Sequence, residues 1–149
     1  MKGRKRHIIV DTQGVLLLAK VTGANEQDSE SFLKMFKEKP IYSLSKVWAD
    51  SAYRRAFLKD ELSIFDIELS IVGGGIKEGY WMPKDKMKGF KFPTKTFQIQ
   101  PRRWVVERSF AWLNRNRRLS KDYEYLTEIS ESYMYIGMSR ILLKRIIKN

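Results

Sequence analysis

Two β-rich runs, Arg6–Asp11 and Val15–Val21, flank the turn residues Thr12-Gln13-Gly14 and read as a hairpin. An isolated hairpin is marginal in water, so the rest of the chain has to cover its apolar faces. The downstream residues supply alternating helix and strand candidates. Asn25 can cap a helix through about Glu38, with Phe32, Leu33 and Phe36 on one face and Pro40 closing it. Lys46-Val47-Trp48-Ala49-Asp50 is a short apolar strand ending in a carboxylate. Ser51 then starts a helix from Ala52 to about Leu62, with Phe57, Leu58 and Leu62 inward, and Ile67–Val72 alternates as a further strand. Gly73-Gly74-Gly75 stops that strand, and Ile76 to Thr96, rich in Lys, Gly and Pro, reads as a long loop. Pro101 suits the first turn of a helix from Arg102 to about Arg117. A last amphipathic helix comes after Thr127, with Ile129, Tyr133, Ile136, Ile141 and Leu143 expected to be buried. The order β-β-α-β-α-β-loop-α-α predicts a mixed α/β layered domain, and 149 residues suit one domain over 1–149.

Charge narrows the partner. The net charge is +12, and the excess is unevenly placed. Ala24 to Ser70 is mildly acidic, whereas the first strand and the C-terminal half are basic. Such a pattern favours a phosphate-facing side over a randomly charged surface. With no cysteine there are no disulfides and no thiolate metal sites. No window reaches the roughly 20 apolar residues that span a bilayer, and MKGRKRH lacks an apolar signal core, so a cytoplasmic chain is expected.

Two carboxylates stand out. Asp50 closes an apolar strand, where open α/β sheets present ligand groups, although an Asp there also caps a following helix. Glu107 lies in RRWVVERSFAWLNRNRRL among arginines and the rings of Trp104, Phe110 and Trp112. Val105, Val106, Ser109, Phe110, Trp112 and Leu113 fill one arc of that helix, and Arg103, Glu107 and Asn114 border it. Spacing alone leaves Glu107 open between a half-buried ligand at the core edge and an i, i+4 ion pair with Arg103. His7, the only histidine, lies in a β pattern and reads as surface or core packing, and Asp11 reads as a turn residue.

Taken in order, KGRKRHIIVDTQG, VWADSAYRR and PRRWVVERSFAWLNRNRRLSKDYEY resemble the C-terminal half of DDE-type insertion-sequence transposases, the insertion sequence five family in particular. The resemblance runs from Lys2 to about Tyr125, and WVVERSFAWL is its most specific block. It implies an RNase H-like mixed sheet flanked by helices, with three carboxylates binding two Mg²⁺ ions, or Mn²⁺ in their place. Asp50 matches the family's second carboxylate and Glu107 its third. Arg103 matches the arginine one turn before the glutamate, and Tyr53 the tyrosine after the aspartate. Where the family often has glycine this chain has Ala52. The first catalytic aspartate normally lies on a strand upstream of the KGRKRH segment, with which this chain begins, so a sheet lacking its first central strand is expected. Asp11 falls on the wrong side of that segment to replace it.

The resemblance further implies metal-dependent DNA cleavage and strand transfer at insertion-sequence ends. The DNA partners would be terminal inverted repeats and target. Lys2, Arg4, Lys5, Arg6, Arg102, Arg103, Arg108 and Arg115 are the expected phosphate contacts, with Tyr53, Trp104 and Asn114 in support. Without the first aspartate the chain alone is expected to be incomplete as an enzyme, and an upstream reading-frame product or a homo-oligomer would be a further partner. A non-catalytic DNA-binding remnant and an RNase H-fold nuclease without transposition are the alternative readings.

Overall fold

The hairpin forms where the β-rich runs place it. In the computed structural model, which describes residues 3–72 and 103–148, β1 (Arg4–Val10) pairs antiparallel with β2 (Leu16–Gly23). The turn is set by its own residues. Asp11 Oδ1 accepts the amides of Gln13 and Val15, both at 2.8 Å, and Gly14 takes a φ of +83°, which glycine adopts without strain. Lys2, Arg102 and the expected loop from Gly73 to Thr96 lie outside the described residues.

The first helix, α1 (Asp28–Glu38), begins later than Asn25 suggested. Gln27 stands at its N-cap, and Asp28 and Glu30 lie in the first turn, where the helix dipole favours acids. A second pair of strands is parallel: β3 (Lys46–Ala49) against β4 (Glu68–Ile71). The connection between them is not the single helix expected from Ala52. Asp50 Oδ1 accepts the Ala52 amide at 2.9 Å and closes a short 3₁₀ turn, Ser51–Tyr53. Extended backbone at Arg55 then delays the next helix, so that α2 (Ala56–Ser63) begins only at Ala56. The late start turns Phe57 partly outward, while Leu58 and Leu62 are fully buried.

The chain is thus mixed α/β, with helices on both sides of the hairpin. One core joins Ile9 and Leu18 of the hairpin to Phe32, Met35 and Phe36 of α1, Leu58 and Leu62 of α2, and Val47 of β3. The other joins Leu16, Ala19 and Val21 of β2 to the C-terminal helices α3 (Arg103–Asn114), α4 (Arg117–Ser120) and α5 (Thr127–Lys148). Covered from both sides, β2 has a nearly continuous buried pattern instead of simple alternation.

The orientation of α5 differs from the one its apolar periodicity predicts. Its buried face is Ser130, Glu131, Met134 and Met138, with Gly137 letting it approach Leu113 and Leu119 closely. Ile129, Ile136 and Leu143, expected inside, are exposed. Two polar residues explain the rotation. The Glu131 carboxylate accepts the Val21 amide at 3.0 Å, and the Tyr135 hydroxyl accepts the Ala19 amide at 2.9 Å. These are the outward-facing donors of β2, and satisfying them outweighs burying a better apolar stripe. α5 thereby caps one edge of the hairpin. The opposite edge, along β1, and the open edge of β3 have no strand partner among the described residues.

The edge cap is testable. Glu131→Ala leaves the Val21 amide without an acceptor and is expected to cost about 1–3 kcal/mol in urea unfolding, whereas Glu131→Gln, which keeps a carbonyl, costs less.

Candidate functional site

Asp50 stands at the C-terminal end of β3 and is exposed. Its backbone carbonyl accepts the Tyr53 amide at 3.1 Å and its side chain holds the Ala52 amide, so the aspartate is built into the turn it starts. Tyr53 ties that turn to the hairpin. Its ring packs edge-on against Phe32, and its hydroxyl lies 3.3 Å from His7 Nδ1, while His7 Nε2 lies 3.0 Å from Thr22 Oγ1. Burial, reinforced by Asp28 and Asp50, pushes the Tyr53 phenol up to about 12, so it is a donor at neutral pH. The contacts are satisfied when Tyr53 donates to Nδ1 and His7 Nε2–H donates to Thr22. His7 is therefore a packing histidine, as its β pattern suggested. Its basicity is lowered, chiefly by burial and further by Lys5, against the opposing pull of Asp28 and Glu26.

Glu107 sits on α3 and is exposed, not half-buried at the core edge. The buried side of that helix is Val105, Ser109 and Leu113. Ser109 is fully buried and its hydroxyl donates to the Gly14 carbonyl at 2.8 Å, with Val105 O at 2.9 Å as a second acceptor. Arg108 donates to the Gln13 carbonyl at 2.7 Å and is stacked between Trp104 and Trp112, 4.2 and 4.7 Å from the ring centroids. Arg145 of α5 covers Trp112 at 4.2 Å. The Arg108 Nε is buried and has no hydrogen-bond partner among the described residues, so the cation's stabilisation there comes from the two indoles its Cζ lies over. The helix carrying Glu107 is thus docked on the hairpin turn.

Several of the expected phosphate contacts already have intramolecular partners. Arg4 bridges Asp122 Oδ1 at 3.1 Å and the Tyr125 carbonyl at 2.7 Å, Lys5 reaches Asp28 at 3.0 Å, and Arg6 donates to the Leu119 carbonyl at 2.6 Å. Burial alone would raise the Asp122 carboxyl, but hydrogen bonds from Ser130, the Glu124 amide and Arg4 outweigh it and hold the acid below its usual range. Arg4 and Arg6 line an open cleft with Phe110, Asn114 and Lys121. Arg115 and Asn114 are exposed at the end of α3, Trp104 is exposed at its start, and of Arg103 only the backbone is described. Among the described residues no three His, Cys, Asp or Glu side chains form a group that could hold a metal ion. Asp50 and Glu107 are oxygen donors suited to a hard divalent cation, yet they do not complete a centre by themselves.

The described residues thus place one exposed acid, Asp50, at the end of β3 and another, Glu107, on the arginine-rich helix α3. The chain matches the transposase DDE domain model over residues 1–138 and belongs to that family, whose members generally use divalent metal ions. It is 28% identical over 144 residues to the protein described as transposase for insertion sequence element IS402 from Burkholderia cepacia. The match covers 91% of this chain and 60% of that relative, so the chain spans less than two thirds of the relative's length. No solved structure matches. Among the described residues no helix is long and apolar enough to cross a membrane.

The docking of α3 depends on a position where a Cβ would lie 2.7 Å from Ser109 Oγ, at positive φ. Gly14→Ala is expected to destabilise the fold by more than about 1 kcal/mol in thermal or urea unfolding. His7 gives a pH dependence whose sign is fixed. Its folded pKa lies below its unfolded value of about 6.5, so the neutral ring stabilises the fold. That contribution is complete above pH of about 6.5 and is lost as pH falls through it toward the folded value. Melting temperature should drop over that window in the wild type, and His7→Gln should flatten the drop.

Proposed function

We propose that this chain supplies part of the catalytic core of an insertion-sequence transposase, with Asp50 and Glu107 as two of its metal carboxylates. Supporting this are the family membership over residues 1–138 and the positions of the two acids, each exposed and each on an element braced against the same hairpin. Mg²⁺, or Mn²⁺ in its place, would activate an attacking water or 3′-hydroxyl and stabilise the departing oxygen of a phosphodiester. The chain's own residues hold the donors in place: the Ala52 amide fixes one oxygen of Asp50, Tyr53 anchors its turn, and Ser109 and Arg108 fix α3. A third carboxylate comes from outside the described residues.

In this reading the fold is RNase H-like and forms one domain. A strand lying between the open edges of β1 and β3 would join the two sheets into the order β2-β1-strand-β3-β4, and an acid on such a strand would be the third carboxylate. DNA, as terminal inverted repeats and target, lies along the basic side. Phosphate contact is assigned to Arg115, Arg103, Arg102 and Lys2 as the family resemblance implies, whereas Arg4, Lys5, Arg6 and Arg108 also brace the hairpin and would meet a phosphate through the donors their protein partners leave over. The place of action is the cytoplasm, at the nucleoid.

The alternative reading is a non-catalytic DNA-binding remnant that keeps the basic surface without the chemistry. The two readings separate in one assay. Metal-dependent nicking of terminal-repeat DNA, measured for the chain together with a segment that supplies the third carboxylate, is expected to fall by about 100-fold or more in Asp50→Asn and in Glu107→Gln, with DNA binding retained. Unchanged behaviour of both variants would favour the remnant.

A further inference from the structure

The apolar stripe that the sequence assigns to the inside of α5 lies on its outside. Ile129, Ile136 and Leu143 recur every seven residues and are 39%, 62% and 58% exposed, and Ile147, four residues further on, is 82% exposed. Seven-residue spacing keeps such side chains on one seam of a helix, the geometry by which helices pair. Measured along the axis, the seam from Ile129 to Ile147 runs about 27 Å. Met134 and Met138, on another face, are buried against β2, α3 and α4. Among the described residues α5 is therefore apolar on two faces and covered on one. A row of four exposed Ile and Leu side chains this long is a contact surface, not scattered surface hydrophobicity.

We propose that a second copy of this chain covers the stripe, its α5 packed antiparallel to the first about a two-fold axis near Met138 and Ser139. Charge selects the occupant and its direction. The exposed acid of α5, Glu128, is at the N-terminal end, whereas the exposed cations Arg140 and Lys144 are in the C-terminal half. A parallel pair sets Arg140 against Arg140 and Lys144 against Lys144. An antiparallel pair centred on the stripe sets Ile129 against Ile147, brings Glu128 to the cationic end of the partner helix, and opposes the helix dipoles favourably. Arg140, which interrupts the row, falls opposite Ile136, where its aliphatic stem continues the apolar contact while the guanidinium reaches water. The surface is thus complementary to itself, the condition for an isologous interface. This assembly is independent of the proposed catalytic reading, since neither Asp50 nor Glu107 takes part in it.

The test uses the full 149-residue chain without DNA. Sedimentation or light scattering at micromolar concentration is expected to give a dimer, and Ile136→Glu to halve the mass while leaving the far-UV circular dichroism of the monomer unchanged. The chain has no cysteine, so single cysteines report position cleanly. Under mild oxidation Ser139→Cys, beside the axis, should form a linked dimer. Ile129→Cys alone should not, and Ile129→Cys mixed with Ile147→Cys should. A monomeric wild type, a dimer that survives Ile136→Glu, or self-linking of Ile129→Cys, which signals a parallel pair, would each overturn the proposal.

Discussion

Gly14 turns the β1–β2 hairpin through a positive φ, and the carbonyl it presents accepts the buried Ser109 hydroxyl at 2.8 Å. Arg108 on the Gln13 carbonyl and the ring of Trp112 beside Gly14 complete the hold of the turn on α3. On its other side the hairpin carries His7, through which Tyr53 anchors the turn that starts at Asp50. A buried, hydrogen-bonded polar group costs far more to disrupt than it gains in forming, which makes such contacts good at specifying geometry. The hairpin is the frame common to both candidate carboxylates, although neither carboxylate belongs to it.

The arginines show how a basic chain divides its charge. Arg4 and Arg6 hold the C-terminal helices to β1 by donating to Asp122 and to backbone carbonyls, and Arg108 is held between two tryptophans. A guanidinium can serve both as a brace and as a phosphate contact, because its planar fork has more donors than one acceptor can use. Long-range attraction for a polyanion survives such bracing, because a donation to a backbone carbonyl leaves the guanidinium's charge in place. Position along the sequence therefore predicts the field of the molecule better than it predicts which side chain touches a phosphate.

Much of the fold is legible in the sequence because local chemistry decides it. The hairpin, both short strands and the helices around Phe32 and Leu58 stand within a few residues of where periodicity and turn residues place them. Boundaries move where a side chain makes a local hydrogen bond that spacing does not encode, as Asp50 does in replacing a helical start by a 3₁₀ turn. Periodicity misreads α5 because it ranks faces by hydrophobicity alone. The orientation of that helix is set by Glu131 and Tyr135 meeting the unpaired amides of β2, a need that arises only once β2 has an edge. The acids are legible as acids, and the block WVVERSFAWL points to the family. Glu107's exposure is not legible, because the arc of apolar residues on α3 is narrower in the fold: Ser109, polar by type, occupies its centre. Ser109 in the middle of that arc is the available signal, since a buried serine needs an acceptor and the hairpin turn supplies one.

If one hairpin holds Asp50 and Glu107 toward a common site, side chains at those two positions should share a single ion. A cysteine-free background allows a direct measurement. In the double variant Asp50→Cys/Glu107→Cys, titration with Cd²⁺, a thiolate-seeking ion, reads convergence as a thiolate-to-metal charge-transfer band in the ultraviolet. Converging positions predict a band that saturates at one ion per chain in the double variant and is absent from either single variant. A double variant whose spectrum is only the sum of the two singles would show that the acids do not converge, and would contradict a shared site.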